Sequence, residues 1–113
     1  MINLAKFLLK DYKINSSYPS ISFFRRSRYG NIIWLKLMVN YYENNTLNVE
    51  VLARKIEKEA SRKTVIDFIQ KGIDAGFIER IKNVEDGRRY SITPSTITVK
   101  DFESWAINFK KNV

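Results

Sequence analysis

The sequence predicts a mainly α-helical fold that carries one small β-hairpin, an α+β arrangement. Three observations lead there. Apolar residues recur at three- and four-residue spacing over most of the chain. Alternation fit for strands is confined to Phe77 to Asn83 and Arg89 to Thr93, either side of the turn signal Glu85-Asp86-Gly87. Within 47–95 the order is helix, turn, helix, hairpin, which defines a winged helix-turn-helix.

Each element has its own reason. Ile2 to Ile14 places Leu4, Ala5, Leu8, Leu9 and Tyr12 on one helical stripe, with Lys6, Lys10 and Lys13 elsewhere. After the turn residues Asn15 to Ser17, Pro19 opens a short helix through Arg28, expected to close at Gly30. Asn31 to Tyr42 is apolar on almost every side, as suits a central helix, and Glu43 to Asn45 end it. Thr46 to Asn48 is a brief strand. Val49, Leu52, Ala53 and Ile56 then form an amphipathic helix with Asn48 as its cap and Glu50 in the first turn. After a break at Lys58 to Ala60, Ser61 caps a second helix whose Val65, Phe68, Ile69 and Ile73 share a face, and Ala75-Gly76 stops it. Beyond the hairpin, Pro94 and Ser95 interrupt the chain. Thr98 is the expected cap of a last helix over 98–111, with Phe102, Trp105, Ala106 and Phe109 on one stripe. The layout is one domain over 1–113: a helical extension over 1–30, the helix-turn-helix and wing over 47–95, and the C-terminal helix.

Composition narrows the chemistry. With 44% hydrophobic and 28% charged residues the chain is ordinary for a globular domain, while a net charge of +8 and a pI near 9.8 point to a polyanionic partner. There is no Cys and no His, hence no disulfide, zinc-thiolate site or imidazole base. The remaining carboxylates and lysines are scattered, so no enzyme and no cofactor is expected. The longest apolar run, Ile32 to Val39, contains Lys36 and falls far short of the ~20 residues a bilayer requires. Lys6 and Lys10 interrupt the first apolar stretch, so no secretory leader is read, and a cytoplasmic location with no membrane contact is expected.

Several stretches between Leu47 and Ser95 together resemble the MarR-type winged-helix regulators. They are Leu52-Ala53 in the supporting helix, Ser61-Arg62-Lys63-Thr64-Val65 opening the second helix, Ala75-Gly76-Phe77-Ile78-Glu79-Arg80 at its exit, and Glu85-Asp86-Gly87-Arg88-Arg89 followed by Ile92-Thr93-Pro94. Between the two helices, Ile56 to Ala60 lacks the glycine usual in that family. The resemblance implies a regulator of transcription that binds double-stranded DNA, with helix 61–75 in the major groove and the hairpin 77–93 as a wing. A protein-interaction module, or an accessory module of DNA replication or packaging, is the alternative use of the same fold.

With Val65, Phe68 and Ile69 facing inward, Lys63, Asp67, Gln70, Lys71 and Asp74 face outward. Ser61, Arg62, Lys63 and Thr64 lie at a helix N-terminus, where free N–H groups favour phosphate. The other reading of this face is a solvated one with a Lys63–Asp67 pair. Asp67 either accepts from a cytosine amino group or is solvated, and Ile66 either meets a thymine methyl or completes the core. In the wing, Arg88 and Arg89 follow the Asp86-Gly87 turn, and an arginine held there suits a narrow minor groove. The family's Asp-x-Arg wing points to Arg88, with Asp86 holding loop or arginine unless it is simply a turn former. Lys82 is a backbone contact or a protected sheet edge. Arg25, Arg26 and Arg28 are a second phosphate edge or a solubilising face. Phe102, Trp105 and Phe109 form a homodimer seam with Leu8, Leu9 and Tyr12, or cover the core. A small-molecule effector is left open.

Overall fold

The computed structural model describes residues 1–13, 17–81 and 90–113. Among them the chain order is α1 (Ile2–Lys13), α2 (Pro19–Phe24), α3 (Arg28–Tyr42), β1 (Leu47–Asn48), α4 (Val49–Lys55), α5 (Arg62–Asp74), β2 (Ile78–Ile81), β3 (Ser91–Pro94) and α6 (Thr96–Lys111). The strands form an antiparallel sheet in the order β1-β3-β2, with Leu47 opposite Ile92 and Ile78 opposite Pro94. This is the winged helix-turn-helix expected from the sequence, with β1 completing the hairpin's sheet.

Side-chain caps fix where the helices begin. Asn48 accepts from the Val51 N–H, Ser61 from Thr64 and Ser27 from Gly30, each satisfying an N–H that has no partner within its helix. α2 begins differently. Tyr18 makes no side-chain cap, and the Asp101 carboxylate of α6 instead accepts from both the backbone N–H and the hydroxyl of the buried Ser20. A carboxylate brought from 81 residues away thus caps α2. α5 ends on a paired exit. The Gly76 N–H reaches Ile73 O and the Phe77 N–H reaches Gly72 O, with Gly76 at φ 82°. α3 ends the same way, Asn44 and Asn45 donating to Tyr41 and Asn40, with Asn44 at φ 61°.

Two sequence expectations are corrected here. The helix expected over 19–28 stops at Phe24, and Gly30 lies inside the first turn of α3 rather than closing a helix. A Cβ on Gly30 would stand 2.5 Å from Phe24 O, so glycine there allows α2 and α3 to meet. α6 begins at Thr96, two residues before the expected start. Thr98 is not its cap: it is fully buried and donates to Phe77 O at 2.7 Å, pinning α6 to the exit of α5.

The core gathers Trp34, Ile33, Leu37 and Met38 of α3, Ile21 and Phe24 of α2, Leu52 of α4, Val65 and Ile69 of α5, and Ile78 and Ile92 of the sheet. Phe68 of α5 stacks on Phe23 with centroids 4.7 Å apart, and Tyr29 meets its edge at 5.6 Å. Beyond this body α1 runs antiparallel to the second half of α6, joined by Phe7–Phe109 and by a bond from the Trp105 indole to Asp11. Arg25 pairs with the same carboxylate and lies within 6 Å of the rings of Tyr12, Trp34 and Trp105. The molecule is correspondingly long, 50 × 26 × 23 Å.

Two glycines four residues apart are required for different reasons. A Cβ on Gly72 would fall 2.5 Å from Ile78 Cδ1, whereas one on Gly76 would meet nothing within 4 Å and suffers only from the positive φ. Gly72→Ala therefore costs about 1–3 kcal/mol through overpacking. Gly76→Ala costs about 1–2 kcal/mol through backbone strain. Chemical denaturation checks the distinction, because asparagine tolerates a left-handed backbone: Gly76→Asn recovers most of the loss, and Gly72→Asn recovers none.

Candidate nucleic-acid interface

α5 presents its polar face outward. Lys63, Asp67, Gln70, Lys71 and Asp74 are exposed along one stripe, while Val65, Phe68 and Ile69 are buried behind it. Such a stripe on a surface helix has the dimensions to enter a major groove. Ile66 is half-buried and packs against the core.

The polar groups of this face divide into those already engaged and those at liberty. The Ser61 hydroxyl accepts from the Thr64 N–H and donates to the Thr64 hydroxyl. Gln70 donates to Asp74 at 2.9 Å. Arg62 grips the Glu50 carboxylate in a fork, Nε to Oε2 and Nη2 to Oε1. That hydrogen bond, and behind it the carboxylate's charge, holds the Arg62 guanidinium above its ordinary pKa. Among the described residues, Lys63, Asp67 and Lys71 have no hydrogen-bond or ion-pair partner, so the alternative Lys63–Asp67 pair does not form.

The hairpin leaves the body beside α5. Phe77 follows the Gly76 turn, Ile78 is buried, and Glu79 and Arg80 are exposed. The Arg80 guanidinium lies 4.0 Å over the Tyr90 ring, bridging the base of the hairpin. Lys82, Asp86, Arg88 and Arg89, the wing residues selected from the sequence, lie outside the described residues.

The arginines of 25–28 do not make a common edge. Arg25 is taken up at the root of α1, Arg28 reaches Glu59 in the turn between α4 and α5 at 3.1 Å, and Arg26 is exposed. Of the seam residues, Phe102 and Trp105 are half-buried against Trp34 at 5.5 and 6.0 Å, and Phe109 against Phe7. Leu8 is half-buried, whereas Leu9 and Tyr12 are 57% and 74% exposed. Glu50 and Arg80, which sequence reasoning does not single out for this face, stand beside it in the structure. From the sequence the first is a helix-dipole acid, and the second is part of a strand and of the stretch that resembles MarR-type regulators. An acid in the first turn of one helix, twelve residues before an arginine opening the next, is the sequence signal for the first.

No family model matches the sequence, and none of the curated proteins is similar to it. Among solved structures, a MarR protein from Peptoclostridium difficile shares the fold with a TM-score of 0.50 at 18% identity, over 97% of this chain. The chain spans 61% of that protein's length. Among the described residues no helix is long and apolar enough to cross a membrane.

One titration probes the place where α3 meets α6. Burial first, then the charges of Glu103 and Tyr41, raise the Tyr42 phenol above its ordinary 10.0. A phenol whose pKa is higher folded than unfolded contributes stability below the unfolded value, and that contribution fades as pH rises through the folded one. Stability attributable to Tyr42 is thus lost above about pH 10, and Glu103→Gln narrows the window. Tyrosinate absorbance compared with Tyr42→Phe reads the shift directly.

Proposed function

We propose that the protein binds double-stranded DNA and acts as a transcriptional regulator. The observation that carries this reading is the exposed polar stripe on α5, capped at its N-terminus by Ser61 and standing beside the hairpin base in a winged-helix body. The net charge of +8 supports it, as does the resemblance of 47–95 to MarR-type regulators. In this reading Lys63 meets a phosphate at the helix N-terminus, where the backbone N–H groups and helix dipole also favour an anion. Gln70, Lys71 and Asp67 lie one and two turns deeper, facing base edges. In the same reading Arg88 of the wing enters the minor groove, Arg89 and Lys82 meet the backbone, and Asp86 holds the loop or the arginine.

A two-fold dimer would let two such helices read successive half-sites. The surface available for it is the stripe Ile2, Leu9 and Tyr12 on α1, exposed at 68%, 57% and 74%. A protein-binding role is the second reading. It is favoured by the exposed apolar stripe Leu35, Val39 and Tyr42 on α3 and by the acids Asp67 and Asp74 on α5.

Fluorescence anisotropy with random and genomic duplexes at two salt concentrations tests the assignment. Binding weakens steeply with salt, and Lys63→Ala and Arg88→Ala each reduce affinity and flatten the dependence of log K on log salt by about 0.9. Unchanged duplex affinity in both variants sinks the residue assignment. Absence of duplex binding at low salt sinks the function.

A further inference from the structure

All three ion pairs among the described residues engage an arginine, while the exposed lysines Lys63 and Lys71 of α5 stay unpaired. One pair stands at the proposed DNA face. Arg62 is the first residue of α5, and Glu50 is in the first turn of α4, so the pair joins the N-termini of the two helices of the helix-turn-helix. The arginine side chain is 68% exposed and the glutamate 27%, which puts the guanidinium on the outer side of the pair.

A guanidinium meets a phosphate as it meets a carboxylate, through two parallel N–H donors on one edge. In Arg62 the Nε and Nη2 edge is already filled by both oxygens of Glu50. A phosphate approaching the remaining edge meets a neutralised charge and a carboxylate behind it. Lys63, one residue on, has no such occupant.

We infer that Glu50 withholds the Arg62 guanidinium from the DNA backbone, leaving Lys63 as the side-chain cation that meets phosphate at the start of α5. The inference rests on the DNA-binding reading and adds to it a residue that limits sequence-independent attraction. Phosphate contacts position a protein without reading sequence, so withdrawing one cation lowers affinity for random DNA more than it lowers discrimination. At the neighbouring turn Glu59 meets Arg28 through Nε alone, at 3.1 Å, and leaves the rest of that guanidinium exposed.

The test compares wild type, Glu50→Gln and the double variant Glu50→Gln/Arg62→Ala on a random-sequence duplex over a salt series, with thermal melting to confirm folding. Glu50→Gln is expected to bind more tightly and to steepen the salt dependence by about 0.9, the contribution of one phosphate contact. Lowering salt from about 200 to 50 mM then favours it over wild type by a further factor of about 3 to 4. The double variant returns to the wild-type slope. A Glu50→Gln slope equal to or flatter than wild type, in a folded protein that binds duplex, overturns the inference alone, since Arg62 would then already be engaged with Glu50 as its guide. Failure of the folded wild type to bind any duplex removes the DNA-binding reading and this inference with it.

Discussion

Phe23 and Phe68, their rings stacked 4.7 Å apart, join α5 to the N-terminal half of the molecule. Everything outward-facing on α5 takes its direction from that inward contact. Phe24 and Tyr29 close around the same ring, and Gly72 lets Ile78 and Phe23 press against the next turn of the helix. Dispersion and apolar burial at such a contact are short-ranged and unforgiving of a changed shape. Rotation of α5 about its axis would break the stack before it turned Lys63 or Lys71 away from the surface.

α2, which supplies Phe23, is too short to be stable by itself. It spans six residues, and the structure holds it from outside. Asp101 caps its first turn from α6, Pro19 presets its backbone, and Arg25 at its end is gripped by Asp11 of α1. The terminal helices are therefore tied, through one carboxylate each, to the small helix on which α5 leans. Asp11 serves two partners at once, Arg25 and the Trp105 indole.

How much of this could be read beforehand follows from the range of each interaction. The helices of 47–75 were legible because their periodicity, their caps Asn48 and Ser61, and the Ala75-Gly76 exit are local in sequence. Where the determinant is remote, reading failed. Nothing near Thr98 announces that Phe77 O will take its hydroxyl, and nothing near Gly30 announces the carbonyl of Phe24 above it. The outward stripe of α5 was legible for the same reason as the helix. The engagement of Arg62 by Glu50 and of Gln70 by Asp74 was not, because periodicity gives the side of a helix and not the partner chosen there. Likewise Phe102 and Trp105 carried an apolar stripe that two surfaces could have claimed, and Trp34 of the same chain packs against it.

The chain has two tryptophans, and both stand at the joint between the α1–α6 arm and the winged-helix body, their rings 6.0 Å apart with the Arg25 guanidinium within 6 Å of each. Trp34 is buried and its indole N–H has no partner among the described residues, while that of Trp105 is held by Asp11. Emission from the two indoles consequently originates in unlike surroundings at a single joint. The molecule carries its own optical gauge there: any event that pulls the first helix off its seat strips the Asp11 carboxylate from the Trp105 indole and from the Arg25 guanidinium that lies beside both rings, and the change is readable without a label.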